Sequence, residues 1–198
     1  MNKVKVAINR FWKDKANRFV VVFLGLFIVF YGFNELFIGL VAPGGAYSPY
    51  LDQHWNYIDV WREFYIGSTA KVLTAMGYKV FTNDTRLIVE HHAGIRLIYT
   101  CLGYGVMSFF AAFVIAFPKA IKSKIIFLIL GLIGIQALNI VRFILLSLYW
   151  KEYRLHFGSI DHHTIFNVCI YIIIIISIYF WTNTSVKKNA TNPAQKSV

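Results

Sequence analysis

The sequence lacks most of what a soluble enzyme or a nucleic-acid-binding protein is built from. Charged residues make up only 15% of it, with nine acidic against twenty basic. Neither basic tract interleaves with a stacking platform or a nucleic-acid motif, so the net charge of +11 does not call for nucleic acid. There is no internal repeat. The two cysteines, Cys101 and Cys169, do not suit a disulfide, because they fall at different depths of different apolar runs and a bond needs both sulfurs at one place. Cys169, between Val168 and Ile170, reads as a small buried hydrophobe. The histidines His54, His91 and His92 have no thiol or carboxylate spaced to complete a metal site, and neighbours in a strand point to opposite faces. No metal and no cofactor is implied. Ala42-Pro43-Gly44-Gly45 is a poor signal-cleavage site after an apolar run too long for a signal core, which reads instead as an uncleaved anchor.

What the chain does have is apolar surface: 58% hydrophobic and 18% aromatic residues, well above a soluble domain's share. The fold class expected is an all-α integral membrane protein with about four transmembrane helices, over 19–41, 103–117, 125–150 and 163–181. The first is interrupted only by Asn34 and Glu35 near its far end. Four spans place both termini on one side. The basic residues of 1–18, the Lys119/Lys122/Lys124 loop and Lys187/Lys188 of the tail 183–198 all fall there, which makes that side cytoplasmic. The expected location is the cell (inner) membrane, multi-pass, with 19–182 as one membrane domain.

The segment 42–100 and the loop 151–162 then lie outside. From Trp55 to Met76, Ile58, Trp61, Phe64, Tyr65, Val72, Ala75 and Met76 recur at helical spacing but are broken by Asp59, Arg62, Glu63 and Lys71. This pattern predicts an interfacial helix on the outer surface, ended by Gly77, with tryptophans at headgroup level. Short strand-like pieces follow at Lys79–Phe81, Arg86–Val89 and Gly94–Ile98. The polar tail beyond the last span reads as disordered.

Polar residues inside the spans converge on the outer end. Cys101 opens the second span beside Gly103 and Gly105, and the same face continues through Tyr104, Ser108 and Ala112, small enough for helices to approach. In the third span Gln136, Asn139 and Arg142, three residues apart, share a sector. An arginine at the centre of a span costs roughly 2.5–3.5 kcal/mol to insert, so it is functional or tightly paired by default. The last span enters at Asp161-His162-His163, and His163 rather than His162 shares a face with Asn167 and Tyr171. A nucleophilic cysteine needs a thiolate, a cation to stabilise it and a proton carrier for the leaving group. Arg142 and His163 are the residues able to serve Cys101 in those roles.

Cys101-Leu102-Gly103, then Asn139-Ile140-Val141-Arg142 in a later span, then a histidine opening the last one, resembles the exosortase and archaeosortase family of membrane-embedded cysteine transpeptidases. The resemblance covers roughly 94–176. That family usually has Ser or Thr where Leu102 stands, and a small residue where Asn167 stands. It implies Cys101 as nucleophile, Arg142 as thiolate and oxyanion stabiliser and His163 as general acid/base; Asn139, Gly103, Asn167 and His162 stand near these in the sequence pattern as candidate supporting residues. It further implies an extracytoplasmic site and, as partners, exported proteins ending in a sorting signal: a short motif, a transmembrane helix and a basic tail. An acyl-enzyme would be released to an amine-bearing acceptor or to water.

A rival from another class is a non-catalytic polytopic protein, a transporter subunit or assembly scaffold, with Gln136 and Arg142 lining a polar pathway. In that reading Cys101 is a small buried hydrophobe, Arg142 is bonded to Asn139 or a loop carbonyl, and His163 merely follows Asp161 at the water boundary.

Overall fold

The computed structural model describes residues 12–42, 44, 46–92, 94–153 and 162–190; the side chains at 100, 150–153, 162–165 and 184–190 lie outside that description. The first eleven residues, most of the loop before the last helix and the final residues 191–198, to which the sequence assigned basic, connecting and tail roles, are therefore outside it as well.

Helix α1, Lys15–Val41, is capped by Asp14, whose carboxylate accepts from the Ala16 amide at 3.0 Å, satisfying one of the first turn's free donors. It starts four residues before the apolar run because the cap, not hydrophobicity, sets the boundary. After it the chain folds back, with the Ser48 amide donating to the Leu40 carbonyl. Helix α2, Pro49–Trp55, begins with proline at its first position, where the missing N–H costs nothing. Helix α3, Tyr57–Ala75, is capped by Asn56 and ended by Gly77 at φ 91°.

Strands β1 (Val80–Thr82), β2 (Arg86–Val89) and β3 (Ile95–Arg96) form an antiparallel sheet in that order, with Phe81 opposite Ile88 and Leu87 opposite Ile95. Asn83 accepts from the amides of Thr85 and Arg86 and so closes the first hairpin. Leu87 and Val89 point inward while Arg86 and Ile88 stay exposed, the alternation of a half-buried strand. His92 Nδ1 meets the Leu148 carbonyl at 3.0 Å, tying the sheet to a later helix.

A short 3-10 turn, Tyr99–Leu102, leads through Gly103 into α4, Tyr104–Ala116. Helices α5, Ile121–Tyr153, and α6, His162–Ala190, complete the chain. Among the described residues three helices are long and apolar enough to cross a membrane, those beginning at Lys15, Ile121 and Phe166 within α1, α5 and α6. The second expected span is shorter: α4 has 13 residues, about 20 Å against the ~30 Å of a bilayer's apolar core. Gly103 in the left-handed region bounds it at one end, and Phe117, pushed to extended backbone by Pro118, at the other. The last helix is longer than expected. It runs to Ala190 rather than ending near Trp181, since extending a formed helix adds one bond per residue and no proline intervenes before Pro193.

Helix α4 is the centre of the bundle. Against α1 it meets an aromatic zipper, in which Phe19, Phe23 and Phe27 at one-turn intervals interlock with Phe109, Phe113 and Phe117, mostly edge to face. Against α5 and α6, Val106, Phe110 and Val114 pack with Ile135, Ile170 and Ile174. Gly131 makes room for the Phe110 ring, since a Cβ there would lie 2.1 Å from its Cζ.

Helix α3 departs from a simple surface helix. Ile58, Arg62, Tyr65, Ile66, Thr69 and Leu73 are buried against the sheet and α5, whereas Phe64, Val72 and Met76 remain exposed. Both faces carry apolar residues because one meets protein and the other faces outward, and the periodicity in the sequence mixed the two sets.

Candidate functional site

Gly103 is the pivot of the site. Its φ of 78° turns the chain from the 3-10 turn into α4, and a Cβ there would lie 2.6 Å from Asn139 Nδ2, so glycine is needed both for the backbone angle and for the approach of α5. The turn it ends carries Cys101, buried at 5% exposure.

Arg142 reaches this turn from α5. Its Nη2 donates to the carbonyl oxygen of Cys101 at 2.6 Å, and its Nη1 donates to Asn167 Oδ1, on α6, at 3.1 Å. The guanidinium carbon lies 5.0 Å from the Phe143 ring centre, and Nε is buried with no hydrogen-bond partner among the described residues. One fixed cation therefore joins three chain segments that the sequence singled out separately. The hydrogen bond goes to the backbone of Cys101, as a structural arginine bonded to a loop carbonyl would do.

Asn139 and Gln136 do not continue this contact, although they share a helix sector with Arg142. They face Tyr65 of α3, which is fully buried. Its hydroxyl accepts from Asn139 Nδ2 at 3.3 Å and stands against both the Leu102 carbonyl, at 3.2 Å, and Gln136 Oε1. Burial raises the Tyr65 hydroxyl to about 12, with the Asn139 hydrogen bond pulling the other way, so it is a donor at neutral pH. Gln136 Nε2 points to Met107 Sδ. The successive carbonyls of Cys101 and Leu102 are thus held by different side chains, Arg142 and Tyr65. Tyr65 was legible in the sequence only as part of an aromatic stretch; the signal for it was three polar groups in one span sector that needed partners.

Arg62 holds the outer side of the same turn. Its Nε donates to the Asp84 carbonyl at 2.8 Å, its Nη2 pairs with Asp59 at 2.6 Å, and its guanidinium lies 5.7 Å from the Tyr99 ring centre.

Beside Cys101, whose own side chain does not line it, lies a cavity of about 420 Å³. Gly103, Tyr104 and Tyr99 line it from the turn, Asn139 and Arg142 from α5, Asn167 and Tyr171 from α6, and Phe27, Tyr31 and Glu35 from α1. Asn167 and Tyr171 thus both face the cavity, and position 163 lies one turn before Asn167 along α6. The imidazoles of His162 and His163 are outside the described side chains. Neither Gln136 nor Cys101 is among the residues that line the cavity. Both cysteines are free, Cys169 exposed on α6 and Cys101 buried. Among the described residues no three His, Cys, Asp or Glu side chains are grouped so as to hold a metal ion.

A family model described as transmembrane exosortase matches residues 15–180. No curated protein and no solved structure matches the chain.

Proposed function

Since the chain belongs to the transmembrane exosortase family, we propose that it is a membrane-embedded cysteine peptidase and transpeptidase that cleaves the C-terminal sorting signal of exported proteins on the extracytoplasmic side. The observation that carries this reading is Arg142 bound at once to the Cys101 carbonyl and to Asn167, which brings the three motif-bearing segments to one cavity. The Cys101 thiolate attacks the scissile carbonyl, and a thioester forms as the C–N bond breaks. Arg142, fixed by its two hydrogen bonds and poor in competing water, supplies positive charge to the thiolate and to the oxyanion. His163, one turn before Asn167, gives the leaving amine its proton. The lysine-bearing end near Lys119, Lys122 and Lys124 is cytoplasmic, and the end capped by α2, α3 and the sheet is outside.

The test is co-expression with an exported protein from the same genome that ends in a short motif, an apolar helix and a basic tail. Cys101→Ala is expected to accumulate at the wild-type level and to leave that tail uncleaved; tail removal at the wild-type rate sinks the reading.

A further inference from the structure

Glu35 is the acidic residue of α1, six positions before the helix ends at Val41, about 9 Å along its axis. A carboxylate within an apolar span is costly unless it faces protein or water, and marks function by default. Glu35 faces the cavity: Phe27, Tyr31 and Glu35 follow one another at one-turn intervals and all three line it. Its neighbour Asn34 turns to other partners, donating to the Phe30 carbonyl and accepting from the Tyr57 hydroxyl. The ion pairs among the described residues are Arg62 with Asp59 and Lys79 with Glu90, so Glu35 has no cationic partner there. The polar group beside it is the Tyr31 hydroxyl.

Among the described residues the charged side chains lining the cavity, Arg142 and Glu35, come from different walls. Arg142, from α5, is already committed to a carbonyl and an amide oxygen. Glu35, from α1, is exposed to the open space. Helix α1 packs on α4 and helix α6 on α5, and both contribute residues to the cavity lining. A carboxylate that lines a cavity with a hydroxyl beside it and no cation paired to it among the described residues is a receptor for a cation, and the cation that the proposed reaction requires is the protonated amine of the acyl acceptor.

We propose that Glu35 binds the ammonium group of the acyl acceptor and takes its proton, so directing the acyl-enzyme to transfer rather than hydrolysis. This rests on the acyl-enzyme reading above. The ammonium gives one proton to the carboxylate, and the freed amine attacks the thioester carbonyl. The C–N bond forms as the C–S bond breaks, the electron pair leaves with sulfur, and the nitrogen's second proton ends on the thiolate. The products are an amide, the Cys101 thiol and a protonated Glu35, which returns its proton to water. The chemistry is that of a primary amine, whether free in solution or in a lipid headgroup.

The experiment uses the full-length protein in phosphatidylcholine nanodiscs, with p-nitrophenyl acetate as acyl donor and Cys101→Ala as background. The readout is the ratio of N-acetylated amine to acetate formed from the same acyl-enzyme. Ethanolamine is added in one arm and phosphatidylethanolamine is built into the nanodisc in the other, and the arm that yields product identifies the amine's source. In Glu35→Gln the ratio is expected to fall about tenfold or more, the loss of one charge-assisted hydrogen bond. Glu35→Asp should restore part of it. A ratio equal to wild type in Glu35→Gln overturns the role of Glu35 while leaving the nucleophile in place. Absence of any Cys101-dependent acylation overturns the nucleophile, and the role of Glu35 with it.

Discussion

Arg142 donates to the backbone carbonyl of Cys101 at 2.6 Å, and that carbonyl belongs to the residue whose side chain is the candidate nucleophile. The contact fixes the peptide, and through it the position of the thiol, with a charge-assisted bond in a buried setting. Arg142→Lys keeps the charge but not the planar fork that reaches Cys101 and Asn167 together. It is expected to lower kcat for tail cleavage by about ten- to a hundredfold, the equivalent of one such bond. Arg142→Gln should be worse, because it also removes the charge. Time courses of tail cleavage in membranes check both, and wild-type rates in Arg142→Lys would show that the fork is not needed.

Gly103→Ala combines two penalties. An alanine at φ 78° is strained by about 1–2 kcal/mol, and its Cβ would meet Asn139 Nδ2 at 2.6 Å. The variant is expected to unfold at lower temperature. Adding Asn139→Ala should recover the steric part and leave the backbone strain, so the two changes are non-additive. Thermal unfolding of the four proteins in detergent measures the coupling, and strict additivity would contradict the contact.

Tyr65→Phe removes a hydroxyl that serves three partners, of which Leu102 and Asn139 are buried and Gln136 half-buried. Stranding them should destabilise the protein by about 1–3 kcal/mol. The pH dependence gives an independent check. The hydroxyl sits near 12 in the fold against 10 when free, so its contribution is complete below pH 10 and is lost as pH rises toward 12. The difference in unfolding temperature between wild type and Tyr65→Phe is therefore expected to be constant up to about pH 10 and to shrink above it. A difference that stays flat to pH 12 would mean that Tyr65 is not the group responsible.

Much of this was legible without coordinates. The long apolar runs predicted α1, α5 and α6, and the alternation at Arg86–Val89 predicted the central strand of the sheet. Both signals are local and periodic. The length of α6 was not legible, because a helix once formed continues through polar residues that composition alone assigns to a tail. The buried face of α3 was hidden for a different reason: apolar residues on its outward face give the same periodicity as those in the core.

The sequence by itself determined the class of protein and the identity of Cys101, Arg142 and His163 as candidates, because hydropathy, charge asymmetry and an arginine in an apolar span are properties of residue type and spacing. Only the tertiary structure decided what those residues touch. That Arg142 holds the Cys101 backbone, that Asn139 and Gln136 serve Tyr65 instead, and that Glu35 faces the same cavity from α1 are long-range relations. Each depends on how helices distant in the chain are rotated and brought together, which packing around α4 and the left-handed turn at Gly103 fix and residue spacing does not encode.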